Sequence, residues 1–260
     1  MSKVIVVKGK DPYQMVEEGL KLFAKPPEQK VVLKPNLILA EPPPTTTPCE
    51  TIEALVKHYH ELEYEVIVAE GSGWCNTPEA YEKLGYTKIV EKYGVRLVDL
   101  NEDKFELVRN PKALFLKEFE FPSTLKDAYT VSVPILKEHS ITKVTLSLKN
   151  MLGATLGEKA RVSKKGRFHR KLDESIVDIN SYVKPSLAVI DGRIAGIGGE
   201  LGAKPRGLAA MIFSEDLVAA DALGAKYLGY DPISIRHLRL AQEKGLGVAD
   251  LSKMEILEVG

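Results

Sequence analysis

The chain has 260 residues, 44% of them hydrophobic and 28% charged, with 36 Lys and Arg balanced by 36 Asp and Glu. These values exclude a disordered, collagen-like or disulfide-stapled chain, and a neutral total argues against a general polyanion binder. No apolar run nears the roughly 18 residues that cross a bilayer, so neither a membrane span nor a membrane partner is expected.

Val4 to Val7 reads as a first strand rather than an export signal. Tyr13 to Phe23 has helical spacing, and Val31 to Leu33 is a second strand ending at Lys34-Pro35-Asn36. A proline-rich loop from Glu41 to Pro48 follows, with Thr47 placed as an N-cap and Pro48 in the first helical turn. Ile52, Leu55, Val56, Tyr59 and Leu62 mark one face of that helix. Val66 to Ala69 is a third strand, leading into Glu70-Gly71-Ser72-Gly73-Trp74. A helical region from Pro78 to Tyr93 then precedes the strand Val95 to Asp99. This rhythm predicts an α/β fold, a mostly parallel sheet with helices on both faces.

Further on, Leu114 to Phe121 alternates like a hairpin edge strand, and Ala128 to Pro134 reads as a buried strand. Thr142 to Met151 is expected to be helical. Ser186 to Asp191 is a strand, Gly192 to Gly207 a glycine-rich connection, Leu208 to Ser214 a strand and Asp216 to Leu228 a helix. A single domain over 1–260 is expected, with a smaller insertion between about residues 100 and 170.

Ligands of open α/β sheets bind outside the carboxyl ends of the strands. Four predicted strand ends carry polar groups on turn-forming residues: Lys34-Pro35-Asn36, Glu70 to Gly73, Lys137-Glu138-His139 and Asp191-Gly192. The segment from Lys137 to Lys171 holds ten cations and two carboxylates, a balance of +8 that leaves −8 for the rest. Concentrated like charge calls for an anion. Gly153 to Arg170 reads as a mobile lid over it. Nucleic acid is disfavoured as that anion, because Phe168 is the lone aromatic there. His139 and His169 flank the segment, and neighbouring cations favour their neutral forms. On the expected helix, Thr142, Thr145 and Lys149 share a face. Gly196 to Gly207 reads either as a phosphate cradle with Lys204 and Arg206 or as a plain hairpin connection. Thr45 to Pro48 reads either as an anion site at a helix start or as a simple cap.

Taken in order, several motifs resemble the prokaryotic family known as domain of unknown function 362. They are Lys34 to Asn36, Thr45 to Pro48, Glu70 with its glycines, Pro134 to His139 and Val144 to Asn150 with Gly153. His169, Asp191-Gly192, Asp216 to Asp221 and Leu228-Gly229 complete the set. The resemblance runs from about residue 30 to 248 and implies an α/β fold without naming a reaction. It is to the version lacking a ferredoxin-like segment. Only Cys49 and Cys75 are present, so no iron–sulfur cluster is expected. Glu138 stands where the family usually has threonine.

The expected function is an enzyme acting on a small phosphorylated or carboxylated ligand. Lys34, Lys137, Lys149 and Arg206 would bind the anion, with Asn36, Thr46, Thr47, Ser72 and Asn150 as further contacts. His139 and His169 would move protons, with Lys137 beside them. Glu70 and Asp191 would orient a histidine or hold a divalent metal. The alternative is a non-catalytic carrier for a metallocofactor or nucleotide. Two unpaired cysteines fit a reducing cytoplasm, and three glutamines among many Lys and Glu give a thermophile-like composition. No oligomeric state follows from the sequence.

Overall fold

In the computed structural model, which describes residues 1–159 and 163–260, the β-rich runs join one ten-stranded sheet. In chain order the elements of the first half are β1 (Ser2–Lys8), α1 (Pro12–Leu20), β2 (Lys30–Pro35), α2 (Cys49–Glu61), β3 (Glu65–Glu70), α3 (Thr77–Lys83), α4 (Thr87–Tyr93) and β4 (Arg96–Asp99). The second half adds β5 (Phe105–Arg109), β6 (Glu118–Pro122), β7 (Tyr129–Val133), β8 (Ile135–His139), β9 (Lys143–Thr145), α5 (Ser147–Asn150) and α6 (Leu172–Val183). It closes with β10 (Leu187–Ile197), β11 (Lys204–Ser214), α7 (Leu217–Tyr227), α8 (Arg236–Glu243) and β12 (Met254–Val259).

The sheet order is β12-β1-β11-β10-β7-β2-β3-β4, with β8 and β9 attached through β10. Pairings are parallel except β1–β11, β10–β11 and β8–β9. The fold is therefore α/β, with a mostly parallel mixed sheet. Successive strand residues face opposite sides, and both sides are apolar. Val4, Val6, Val32, Ile67 and Ile190 pack against α6, α7 and α8 on one face. Ile5, Val7, Leu33, Val68 and Val189 pack against α1, α2 and α4 on the other. Among the described residues no helix is long and apolar enough to cross a membrane.

Several local expectations are corrected. Pro134 ends one strand and starts another, so Lys137 and His139 sit within β8 rather than beyond a strand. The stretch from Thr142 is first β9 and only then the four-residue α5. Thr142, Thr145 and Lys149 therefore share no helix. Gly85, at φ +83°, separates α3 from α4 inside the region read as one helix. The glycine-rich connection is largely strand: β10 and β11 form a long antiparallel hairpin with its tip near Gly198 to Ala203. Thr47 does not cap α2, whose N-cap Pro48 makes no side-chain bond. The alternating run near Phe121 becomes β6, paired with β5 in a separate two-stranded sheet.

That small sheet is tied to α6 by one carboxylate. Asp178 is buried and accepts the backbone N–H groups of Leu114, Phe115 and Leu116 at 2.7, 2.6 and 2.8 Å. Asp178→Ala would leave three N–H groups without an acceptor. The expected cost is about 3 kcal/mol, read as a lower urea midpoint with an unchanged m-value. Asp178→Asn retains one acceptor oxygen and should lose less.

Candidate functional site

A cavity of about 230 Å³ opens at the carboxyl ends of β2, β3 and β8. The period-two geometry of a strand explains part of its lining. Lys137 and His139 are two apart on β8, so both face the cavity. Glu138 between them points away, where Oε2 accepts the Gly198 N–H at 2.6 Å.

Lys34 ends β2 and is only 1% exposed. Its Nζ donates to Glu70 Oε2 at 2.5 Å, Pro35 O at 2.7 Å and Asn150 Oδ1 at 2.9 Å. All three protons are used, so Lys34 positions its neighbours and has none left for a ligand. Burial lowers its pKa, against the pull of Glu70. Asn150 closes the knot by donating to Lys34 O and Ser132 Oγ. Glu70 Oε1 accepts the Gly71 N–H at 3.0 Å. A Cβ at Gly153 would collide with both Glu70 and Lys34, so only glycine fits there.

Three further lysines line the same cavity. Lys137 donates to Thr45 O at 2.6 Å and Glu200 O at 3.3 Å. Lys165 donates to Thr155 O at 2.5 Å. Lys149 is half-buried, and its ammonium has no hydrogen-bond partner among the described residues. Burial pushes Lys137 down to about 7, helped by the Lys149 charge. Burial likewise holds Lys165 at about 7 and Lys149 at about 8, against the pull of Glu70 and Glu200 respectively. Two other polar atoms at the cavity, Asn36 Oδ1 and Thr145 Oγ1, are buried without a partner.

The two histidines present opposite faces. His139 Nδ1 accepts the N–H groups of Ile141 and Thr142 at 3.1 and 3.2 Å. Its proton must therefore sit on Nε2, making it a donor. Burial first, then the Lys149 charge, hold its pKa down at about 3. Glu200 lies 4.0 Å from that Nδ1, yet its carboxylate is occupied by the Ser140 N–H and hydroxyl, both at 3.0 Å. Burial opposes ionisation of Glu200, but those bonds keep it at about 2. His169 Nδ1 lies 3.0 Å from Lys165 O, which can only accept. In neutral His169, which lines the cavity, the proton is on Nδ1 and Nε2 carries the lone pair, with no partner among the described residues.

Of the expected site residues, the structure brings together Lys34, Asn36, Glu70, Lys137, His139, Lys149, Asn150 and His169. The others lie elsewhere. Asp191 is bound by Thr51 and Arg193 beside a separate cavity of about 530 Å³. The expected Glu70–Asp191 metal pair is therefore not formed. Among the described residues no cluster of three or more His, Cys, Asp or Glu could hold a metal ion. Arg206 is exposed on β11 and donates to Tyr227 O. Thr46 and Thr47 spend their hydroxyls on Glu41 O and Val133 O. Ser72 N donates to Thr77 Oγ1, and Ser72 does not line the cavity. Of the nine described cations in the basic segment, Lys137, Lys149 and Lys165 line it. Arg161 lies outside the described residues. Within the stretch read as a lid, the described Gly157 N donates to Asn101 O and Lys164 N to Gly73 O.

Sequence reasoning gave no role to Lys165, Glu200, Trp74, Ile141 or Leu201, all of which line the cavity. Lys165 was visible only as one charge among ten. Glu200 was hidden inside a glycine-rich stretch read for its glycines and cations.

The sequence profile of the family described as Domain of unknown function (DUF362) matches residues 31–226, and the chain belongs to that family. The match covers every cavity residue and stops just short of Leu228-Gly229. A thylakoid-associated protein of Synechocystis sp. is 23% identical over 237 residues, covering 88% of this chain and 71% of that protein. No solved structure matches the chain.

Lys34→Met would strand the Glu70 carboxylate in a dry site. Breaking such a pair costs about 3–5 kcal/mol, so a large fall in Tm is expected. Adding Glu70→Gln removes the orphaned charge and should restore part of the loss. If the double variant is no more stable than Lys34→Met, the pair is not what holds these strand ends.

Proposed function

We propose that this member of the family binds a small phosphorylated or carboxylated ligand in the lysine-lined cavity and transfers a proton on it. The observation that carries the reading is the Lys149 ammonium, lining a cavity without a hydrogen-bond partner among the described residues. A half-buried ammonium that gives no proton to the described residues keeps its donors for a ligand, and a charge-assisted bond to an anion would take them up. Lys137 and Lys165 have protons to spare beside it, and the unpartnered Asn36 and Thr145 oxygens add acceptors for hydroxyl groups. His139 donates from Nε2 toward a carbonyl or oxyanion. His169 offers a bare Nε2 as the base. Neither carboxylate expected to hold a divalent metal is free to do so here, and no step is assigned to a metal. The two free thiols support action in a reducing cytoplasm. Burial pushes Cys49 up to about 12 and raises Cys75, which makes neither a nucleophile.

Calorimetry with inorganic phosphate and succinate tests the reading. Lys149→Met should weaken binding about tenfold or more. Binding unchanged in that variant would sink the assignment. His169→Asn should bind the anion with little loss yet abolish turnover, once a substrate is found.

The depressed lysines also set a pH dependence. A bound anion favours their charged forms and raises their pKa values. Binding must then take up protons, about one per anion at pH 8. With Lys137 and Lys165 at about 7 and Lys149 at about 8, affinity is full below about pH 6 and falls as pH rises through 7 and 8. Titration in two buffers of different ionisation enthalpy reads the uptake directly. Proton release, or affinity that grows with pH, would contradict it.

A further inference from the structure

Three large apolar side chains that line this cavity are left facing water. Trp74 is 47% exposed, Ile141 67% and Leu201 47%. They come from three separate places: the loop after β3, the turn between β8 and β9, and the tip of the β10–β11 hairpin. One amphipathic element cannot account for their meeting. They are also held in place. Glu200, next to Leu201, is bonded twice to Ser140, next to Ile141. The Trp74 N–H donates to Ile38 O at 3.1 Å.

Behind this rim lie the lysines and the unpartnered oxygens of Asn36 and Thr145. The cavity is thus cationic within and apolar at its mouth. That is the order of an anionic head group followed by a hydrocarbon body. We propose that the ligand is an amphiphilic anion, a phosphate ester or carboxylate whose apolar chain leaves between Trp74, Ile141 and Leu201. The proposal rests on the anion-binding reading and specifies its ligand class. Burying the rim against a chain removes apolar surface of both partners from water. A purely polar anion leaves that surface exposed.

Trp74 is the chain's single tryptophan, so its emission reads the mouth alone. Two homologous series serve as probes, ethyl to octyl phosphate and butanoate to decanoate, with inorganic phosphate as the headgroup control. Calorimetry gives affinities, and emission gives contact with the rim. Affinity should rise about threefold per added methylene in at least one series, with a blue shift of Trp74. Ile141→Asn and Leu201→Asn should flatten that slope while leaving inorganic phosphate affinity unchanged. Equal affinity for inorganic phosphate and every alkyl phosphate, with no slope among the carboxylates, would overturn the amphiphile and leave the anion site standing. Failure of every anion, inorganic phosphate included, would remove both. Equal binding of octyltrimethylammonium would overturn the role of the cationic floor. A Trp74 response to phosphatidate vesicles but to no monomeric amphiphile would also overturn it, making the rim a bilayer contact.

Discussion

Lys34 carries a positive charge to the end of β2 where almost no water reaches, and its neighbours are arranged to receive it. Glu70 comes from the next strand, Asn150 from α5 and the carbonyl from Pro35. An ammonium placed there without all three would cost several kcal/mol. The requirement spreads outward. Asn150 must be brought to Lys34 by a helix of four residues, too short to hold itself together. Asp221 of α7 anchors that helix by accepting the Ser147 N–H and hydroxyl and the Leu148 N–H. Burial pushes the Asp221 carboxyl up to about 7 even against those donors. A line of buried polar bonds thus runs from α7 through α5 to two adjacent strand ends. Gly153 must stay small where it passes over the ion pair.

With Lys34 saturated, the electrostatics of the cavity fall to the other lysines. Lys137, Lys149 and Lys165 line one cavity, where Lys149 bears on Lys137 and the Lys34 charge bears on both Lys149 and Lys165. Such a cluster is comfortable either partly deprotonated or around an anion. Ligand and protons are therefore two ways of meeting the same electrostatic demand. The Glu200 carboxylate, held by Ser140 through both its oxygens, offsets part of the charge on Lys137 and Lys149 without bonding to either ammonium.

The fold was legible because its signals are local. Apolar runs at β1, β2, β3 and β10 alternate with helical spacing, and each run is long enough to mark a strand. Errors fell where a boundary depends on distant partners. β9 forms only because Lys143 to Thr145 finds β8, and β11 starts early because β10 continues past Asp191. The site was half legible for the same reason. Lys34, Glu70 and His139 stand at strand ends, which the topology rule selects, and Lys137 shares a face with His139 two residues earlier on β8. Asp191 stands in the same sequence context. Arg193, two residues on, and Thr51 hold it on the opposite face of the sheet. Lys165 and Glu200 reach the cavity through irregular segments whose course no periodicity encodes.

The tautomers of the two histidines have a consequence for which molecules can be accommodated. One imidazole offers hydrogen and the other offers a lone pair, and backbone bonds fix that difference in both. The cavity consequently has a sense. A ligand bearing an acceptor at one position and a hydroxyl at the next satisfies it in one direction. Turned around, it sets donor against donor and lone pair against lone pair. On the proposed reading, a hydroxy compound would meet His169 with a hydrogen that its oxidised ketone lacks. Two ring orientations would then set which way round a ligand lies, before any contact with the rest of the molecule is counted.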